Sequence, residues 1–566
     1  MIRSRQPAAL VLSLVLLVAV GCGGGGSAGS SGGGSSGGAD HRGGTLVIAW
    51  NGIGSSIDTS IDYDQNWGIL TLTNDGLTGY KHVGGAAGNT LVPDLAESLP
   101  TPTDGGRTYA FTLRPGIRYS TGQAVKASDF RYTIEREFRI HGPVPNFYQG
   151  IVGGDACLAK ASSCDLSKGI VTDDAARTIT FHLTRPDPDF LHKLSVPFAY
   201  VVPSGTPNQE VSTTPLPATG PYMIDHYSPN SELLLVRNPH FTQWSKDAQP
   251  DGYPDRIDIK LRQTTESEVT MIEQGQADWM YDQPPADRLN ELGTKYADQL
   301  HINPVPQVYH MALNTRVAPF DNVDVRRALN YATDRSAVVK IWGGSTLAKP
   351  TCQILPPDFP GYAPYCPYTT NAGDGKWHAP DMAKAKALVD ASGTKGDKVA
   401  TISTPDEVSK SINLYFVSLL RQLGYDASIK VLSAAAQYPY VQNSSNHAQM
   451  SFSYWYPDYP AASNFFDVVI GCHGFHPNSN ASANLSEFCQ PRIQKMTAQA
   501  MTTASTDPQA ADSQWQAVDR ATTDQAPWVP LFVPNRLDFL SKRVGNYQFS
   551  PAVTVSGPIL DQLWVQ

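Results

Sequence analysis

The sequence has no run or stripe of basic residues, and its formal net charge at neutral pH is −9. A nucleic-acid partner, which requires concentrated lysine and arginine against phosphate, is therefore not expected. Beyond its first residues the chain has no stretch of the roughly 18 to 20 uninterrupted apolar residues that a membrane helix needs. Its body also lacks a GxSxG elbow and an HExxH pair, the local signatures of α/β-hydrolases and zinc peptidases. Ser392-Gly393-Thr394-Lys395 fits the SxxK pattern of penicillin-recognising enzymes. It follows a predicted helix over 380–391, whereas a nucleophile of that kind opens a helix, and no KTG accompanies it. No CxxC spacing or interleaved cysteine and histidine pattern marks a metal cluster, so neither metal nor cofactor is expected. His473 and His476 fall between Cys472 and Cys489 and read as part of a surface disulfide loop. No repeat at a solenoid period is found.

What is present begins with compartment signals. Arg3 and Arg5 precede an apolar run from Ala8 to Val20, too short to span a bilayer comfortably, which reads as an export signal over 1–21. The run ends in Ala19-Val20-Gly21-Cys22, which resembles the lipobox at which bacterial lipoproteins are cut and diacylated on the new terminal cysteine. An ordinary cleaved signal with an incidental Cys22 is the alternative. The next stretch, Gly23 to Gly38, is almost pure Gly and Ser and behaves as a flexible tether, so 22–42 is assigned as a lipidated linker. Losing Arg3 and Arg5 with the signal moves the formal charge by two, from −9 to −11. The expected location is the outer face of the cell membrane. With 566 residues, the chain is too long for one core, since cores split beyond about 250 to 300 residues, and two or more lobes are expected.

Setting Cys22 aside, six cysteines remain, in sequence-local pairs: Cys157 with Cys164, Cys352 with Cys366, and Cys472 with Cys489. An even count in an exported chain reads as disulfides. Six cysteines formally allow 15 connectivities, and closeness along the chain makes the three local bridges the economical choice.

Alternating apolar residues predict strands at 44–50, 108–113, 178–183 and 233–236 in a β-rich first half. Ala127 to Phe138 is predicted helical, with Phe130, Ile134 and Phe138 on one face. In the second half Asn322 is expected to cap a helix carrying Val325, Ala328, Leu329 and Ala332. A strand at 399–403, an amphipathic helix at 408–423 stopped by Gly424, and a strand at 425–432 make a βαβ unit of an α/β lobe.

Four separated segments carry a likeness. The first is Phe111 to Gly122 with Ala127, Asp129 and Tyr132. The second is Gly220-Pro221-Tyr222, then Arg237 to Phe241, Gly275 and Asp278. The third is Leu313-Asn314-Thr315, Pro319-Phe320-Asp321, Val325 to Ala332, Asp334-Arg335 and Leu355-Pro356-Pro357. The fourth is Trp455-Tyr456-Pro457-Asp458-Tyr459 with Asn464-Phe465-Phe466. In order and spacing these resemble the bacterial extracellular solute-binding proteins, family 5, that serve dipeptide, oligopeptide, nickel and related ABC importers. Most matched residues read as turns, core or, for Asp334-Arg335, a structural ion pair ending a helix.

The resemblance implies an α/β, two-lobed periplasmic-binding-protein-like fold (type II, cluster C-like) that closes on its ligand. It places lobe I at 43–79, 206–306 and 526–566, an inserted subdomain at 80–205, and lobe II at 307–525. The C-terminal strands, Val529 to Phe532 included, are expected to return to lobe I, and a hinge crossing is expected near Val305 to His310. It further implies a monomeric receptor, not an enzyme, that gives a peptide to permease subunits with their ATPases. A nickel chelate, haem or an oligosaccharide are alternative ligands, and a surface peptide sensor without transport is an alternative role. In peptide-binding relatives the aspartate at the position of Asp458 pairs with the ligand's α-ammonium, and the aromatic at the position of Trp455 lines a side-chain pocket. Tyr456 and Tyr459 are weaker candidates because alternation sends strand neighbours to opposite faces. Asn464 and Phe466 are candidates for shape. The competing reading makes Asp458 a turn cap and the aromatics core. No residue is marked as partner of a ligand carboxylate.

Overall fold

Thr45–Ala49, the first apolar stretch after the tether, lies parallel between Trp279–Met280 and Arg256–Lys260 in a five-stranded sheet. Glu232–Arg237 and Tyr222–Ser228 extend that sheet as an antiparallel hairpin. The helix Thr265–Glu273, capped where Thr264 accepts from the Ser267 amide, makes the crossover to Trp279–Met280. The computed structural model describes residues 41–566 except 54–55, 64–65, 481, 551 and 553–556. The expected export signal, Cys22 and the Gly/Ser tether fall outside the described residues. Among the described residues no helix is long and apolar enough to cross a membrane.

A second sheet has seven strands. Its main order is Leu300–Pro304, Trp528–Phe539, Val308–Leu313, Met450–Trp455, Lys398–Ser403 and Asp426–Val431, with Ala348–Pro350 pairing alongside Trp528–Phe539. The predicted βαβ unit is here: Lys398–Ser403 and Asp426–Val431 run parallel, joined by helix Glu407–Leu423, which ends on Gly424 at φ 100°. Asn322 caps helix Val323–Ala332 as expected, its side chain accepting from the Asp324 amide.

Two expectations are corrected. Val529 to Phe532 lies in the second sheet, where its strand pairs with Tyr309 to Ala312. That strand is buried at all twelve positions and continues until Leu540 bridges Trp279 of the first sheet. Asp334 and Arg335 do not form an ion pair at a helix end. Asp334 caps the start of helix Arg335–Trp342 by accepting from the Ala337 amide, and Arg335 is buried, donating to the Thr351 and Pro530 carbonyls. A guanidinium in the core is satisfied by carbonyls as well as by a carboxylate.

A third, three-stranded antiparallel sheet of Thr108–Thr112, Thr178–His182 and Ile170–Asp173 packs against helix Ala127–Arg139. Phe130, Ile134 and Phe138 of that helix are buried, as their spacing predicts. On the same helix Arg136 is fully buried, and each of its five N–H groups meets an acceptor. Its Nη atoms donate to both Asp58 oxygens at 2.6 and 2.8 Å and to Ser60 Oγ and the Gln209 carbonyl, and Nε donates to the Pro207 carbonyl. The three disulfides join Cys157 to Cys164, Cys352 to Cys366 and Cys472 to Cys489, the local pairs expected.

His310, in Val308–Leu313, is buried and stacks on Trp528 with ring centroids 3.5 Å apart. Burial pushes its pKa down to about 3. The folded protein therefore holds it neutral while the unfolded chain protonates it below its ordinary 6.5, so stability falls as pH drops from 6.5 towards 3. His310→Phe keeps a ring on Trp528 and removes the titration. The slope of unfolding free energy against pH in that window, measured by denaturant titration, is expected to lessen by one proton, about 1.4 kcal/mol per pH unit.

Candidate functional site

Met450–Trp455 sits between Val308–Leu313 and Lys398–Ser403, and its C-terminal end opens into the loop Tyr456-Pro457-Asp458-Tyr459-Pro460. Pro457 has no amide hydrogen to extend the ladder, so the chain leaves the sheet there. The loop is organised by Asn464, fully buried in the helical turn Asn464–Val469. Its Oδ1 accepts from the Trp455 indole at 2.8 Å and the Asp458 amide at 3.2 Å, and its Nδ2 donates to Asp458 Oδ2 at 2.9 Å. The other oxygen of Asp458 accepts from the Tyr63 hydroxyl at 2.5 Å, across 395 residues of sequence.

Asp458 is buried, and desolvation raises its carboxyl above the ordinary carboxylate range against the opposing bonds from Tyr63 and Asn464. Among the described residues it forms no ion pair, and Lys193, whose charge acts on it, has its ammonium bonded to Asp187. Asp458 borders a cavity of about 550 Å³, lined also by Trp67, Val305, Phe359, Tyr459 and Phe549, and among the described residues no lysine, arginine or histidine lines it. A second cavity of about 650 Å³ shares Val305 with the first.

The six candidates from the sequence separate in space. Asp458, Asn464 and Trp455 form one hydrogen-bonded unit, in which the indole N–H is engaged by Asn464. Tyr456 lines the larger cavity, and Trp455 lines neither of the two. Tyr459 reaches into the core around the three-stranded sheet, its ring stacked on His192 and its hydroxyl 3.3 Å from Asp189. Phe466 packs on Trp515 in the core beside the second sheet. His473, in the Cys472–Cys489 loop, bonds Asp467 just before that loop, and among the described residues no group of three or more His, Cys, Asp or Glu could hold a metal ion. In the SxxK stretch the Ser392 hydroxyl bonds Val389 and Thr394, and Lys395 pairs with Asp390.

The sequence reading missed Tyr63 and the aromatic residues Trp50, Tyr281, Tyr309, Trp342 and Tyr454 of the larger cavity. A signal existed for two of them. Trp50 and Tyr281 immediately follow neighbouring parallel strands, and the carboxyl ends of such strands are where α/β sheets bind ligands. Tyr63 lies in irregular chain and has no such mark.

The profile of the bacterial extracellular solute-binding proteins, family 5 (middle), matches residues 90–476. The oligopeptide-binding protein OppA of Bacillus subtilis (strain 168) is 27% identical over 308 residues, 52% of this chain and 53% of that protein, so this match spans about half its length. The probable D,D-dipeptide-binding periplasmic protein DdpA of Escherichia coli (strain K12) is 23% identical over 519 residues, 89% of this chain and 92% of that protein. Among solved structures, the clavulanic acid biosynthesis oligopeptide binding protein 2 superposes with a TM-score of 0.81 at 24% identity, covering 93% of this chain and 96% of that one.

Proposed function

Since the chain belongs to the bacterial extracellular solute-binding proteins of family 5, we propose that it captures a peptide outside the cytoplasmic membrane and delivers it to the permease of an ABC importer. The observation that carries the ligand class is Asp458, a buried carboxyl that among the described residues has no ion-pair partner and borders a cavity lined by no cationic side chain. An α-ammonium group supplies the missing charge and donates charge-assisted bonds where solvent is scarce. Tyr63 and Asn464 hold the carboxylate oriented before the ligand arrives, which lowers the ordering cost of binding. The names of two relatives, oligopeptide-binding and D,D-dipeptide-binding, point the same way. A lobe boundary near 306, with the crossing at Val305 to His310 as hinge, is part of this reading. Mass spectrometry of small molecules retained through gentle purification is expected to find peptides. Recovery of only a sugar, haem or a metal chelate would overturn the ligand class.

Anchoring belongs to the same proposal and rests on Cys22 and the Gly/Ser stretch behind it. The wild-type protein is expected in the membrane fraction and Cys22→Ser in the medium. Equal membrane retention of the two would exclude lipidation at Cys22.

A further inference from the structure

The larger cavity is built of rings. Trp50 and Tyr281, at the ends of two strands of the first sheet, stack with centroids 3.8 Å apart and form one wall. Tyr309, Trp342, Tyr454 and Tyr456, carried by or beside the second sheet, form the other, with Tyr309 4.5 Å from Trp342 and 5.1 Å from Tyr454. Tyr309 and Trp342 are backed by Phe532, at 4.8 Å from each.

Several polar groups of the same cavity already bond the protein. Asp282 accepts from the Asn51 amide, Gln283 accepts from the Leu537 amide, and Asn535 donates to the Thr346 carbonyl. Arg536 is bonded to Asp538 and to the Tyr281 carbonyl. A polyhydroxylated ring entering here would have to find a partner for each of its hydroxyls, and each one left unpaired would carry a desolvation cost. A flat apolar group needs no such partners and packs against ring faces in offset or edge-on contact.

We propose that this cavity is a clamp for an aromatic side chain of the bound peptide, with one wall from each sheet meeting opposite faces of the ligand ring. The assignment rests on the peptide reading above and adds a side-chain preference to it. Burying a phenyl group in place of a methyl raises affinity by about tenfold to a hundredfold.

Calorimetric titration of the full chain with trialanine, Ala-Phe-Ala, Phe-Ala-Ala, Ala-Ala-Phe and cellotriose tests it. At least one phenylalanine peptide is expected to bind ten or more times tighter than trialanine. Tyr454→Ala, at a side chain 53% exposed and so of little weight in the core, and Trp342→Leu are expected to narrow that ratio. Trialanine binding as tightly as every phenylalanine peptide overturns the clamp and leaves the peptide reading standing. A ratio unchanged in both variants moves the preference elsewhere and also overturns it. Retention of cellotriose with no binding of any peptide overturns both readings.

Discussion

Asp458→Ala is expected to lower the affinity for a peptide with a free amino terminus by about 30-fold to several thousand-fold. The variant leaves the ligand's ammonium desolvated and unpaired, a loss of roughly 2 to 5 kcal/mol for a buried charge pair. Acetylating the peptide's amine should cost the wild-type protein a similar factor and the variant almost nothing more, because both changes delete one interaction. Titration calorimetry of both proteins with both peptides closes the cycle. Equal affinity of the wild type for free and acetylated peptide would remove the ammonium from recognition, and wild-type affinity in the variant would return Asp458 to a loop-capping role. The same carboxylate sets a pH dependence. Burial holds its pKa above the ordinary range, so ammonium binding, which needs the ionised form, weakens on acidification at a higher pH than it would for an exposed aspartate.

The second large effect concerns stability. Asp58→Ala is expected to cost about 3 to 5 kcal/mol of unfolding free energy, because it leaves the fully buried Arg136 guanidinium without its counter-charge. The Ser60, Pro207 and Gln209 acceptors remain, but none carries charge. Pairing Asp58→Ala with Arg136→Met is expected to recover much of that loss, since neither partner then leaves an unpaired charge at this site and a flexible apolar chain fills the space. Urea midpoints of the three proteins decide this. A single variant within about 1 kcal/mol of the wild type would mean that water reaches the guanidinium.

What could be read from the sequence was local. Helix Glu407–Leu423 carries its amphipathic spacing and its Gly424 stop within one window, and Asn322 carries its cap two residues from its acceptor's donor. The assignment of Asp334 and Arg335 failed because their partners are not neighbours in the direction assumed. Asp334 caps forward, and the carbonyl that Arg335 meets at Pro530 is 195 residues away. The site divides the same way. Alternation does separate Trp455 from Tyr456, but which of them faces a cavity is set by pairing of Trp455 with Val308, a long-range register that no local pattern carries. The bond from Tyr63 to Asp458 joins irregular chain near the start of the first sheet to a loop beyond the second, and nothing local announces it.

Trp528–Phe539 is an interior strand of the second sheet and lies far along the sequence from the two strands it separates. During synthesis, Leu300–Pro304 and Val308–Leu313 emerge long before the strand that must lie between them, so their ladder on that side stays open until Trp528–Phe539 has been made. Completion of the fold is thus a late event, governed by non-local pairing whose loop-closure entropy must be met before any contact forms. A truncation that removes this strand cuts Leu300–Pro304 and Ala348–Pro350 off from the rest of the sheet and leaves one side of Val308–Leu313 unpaired.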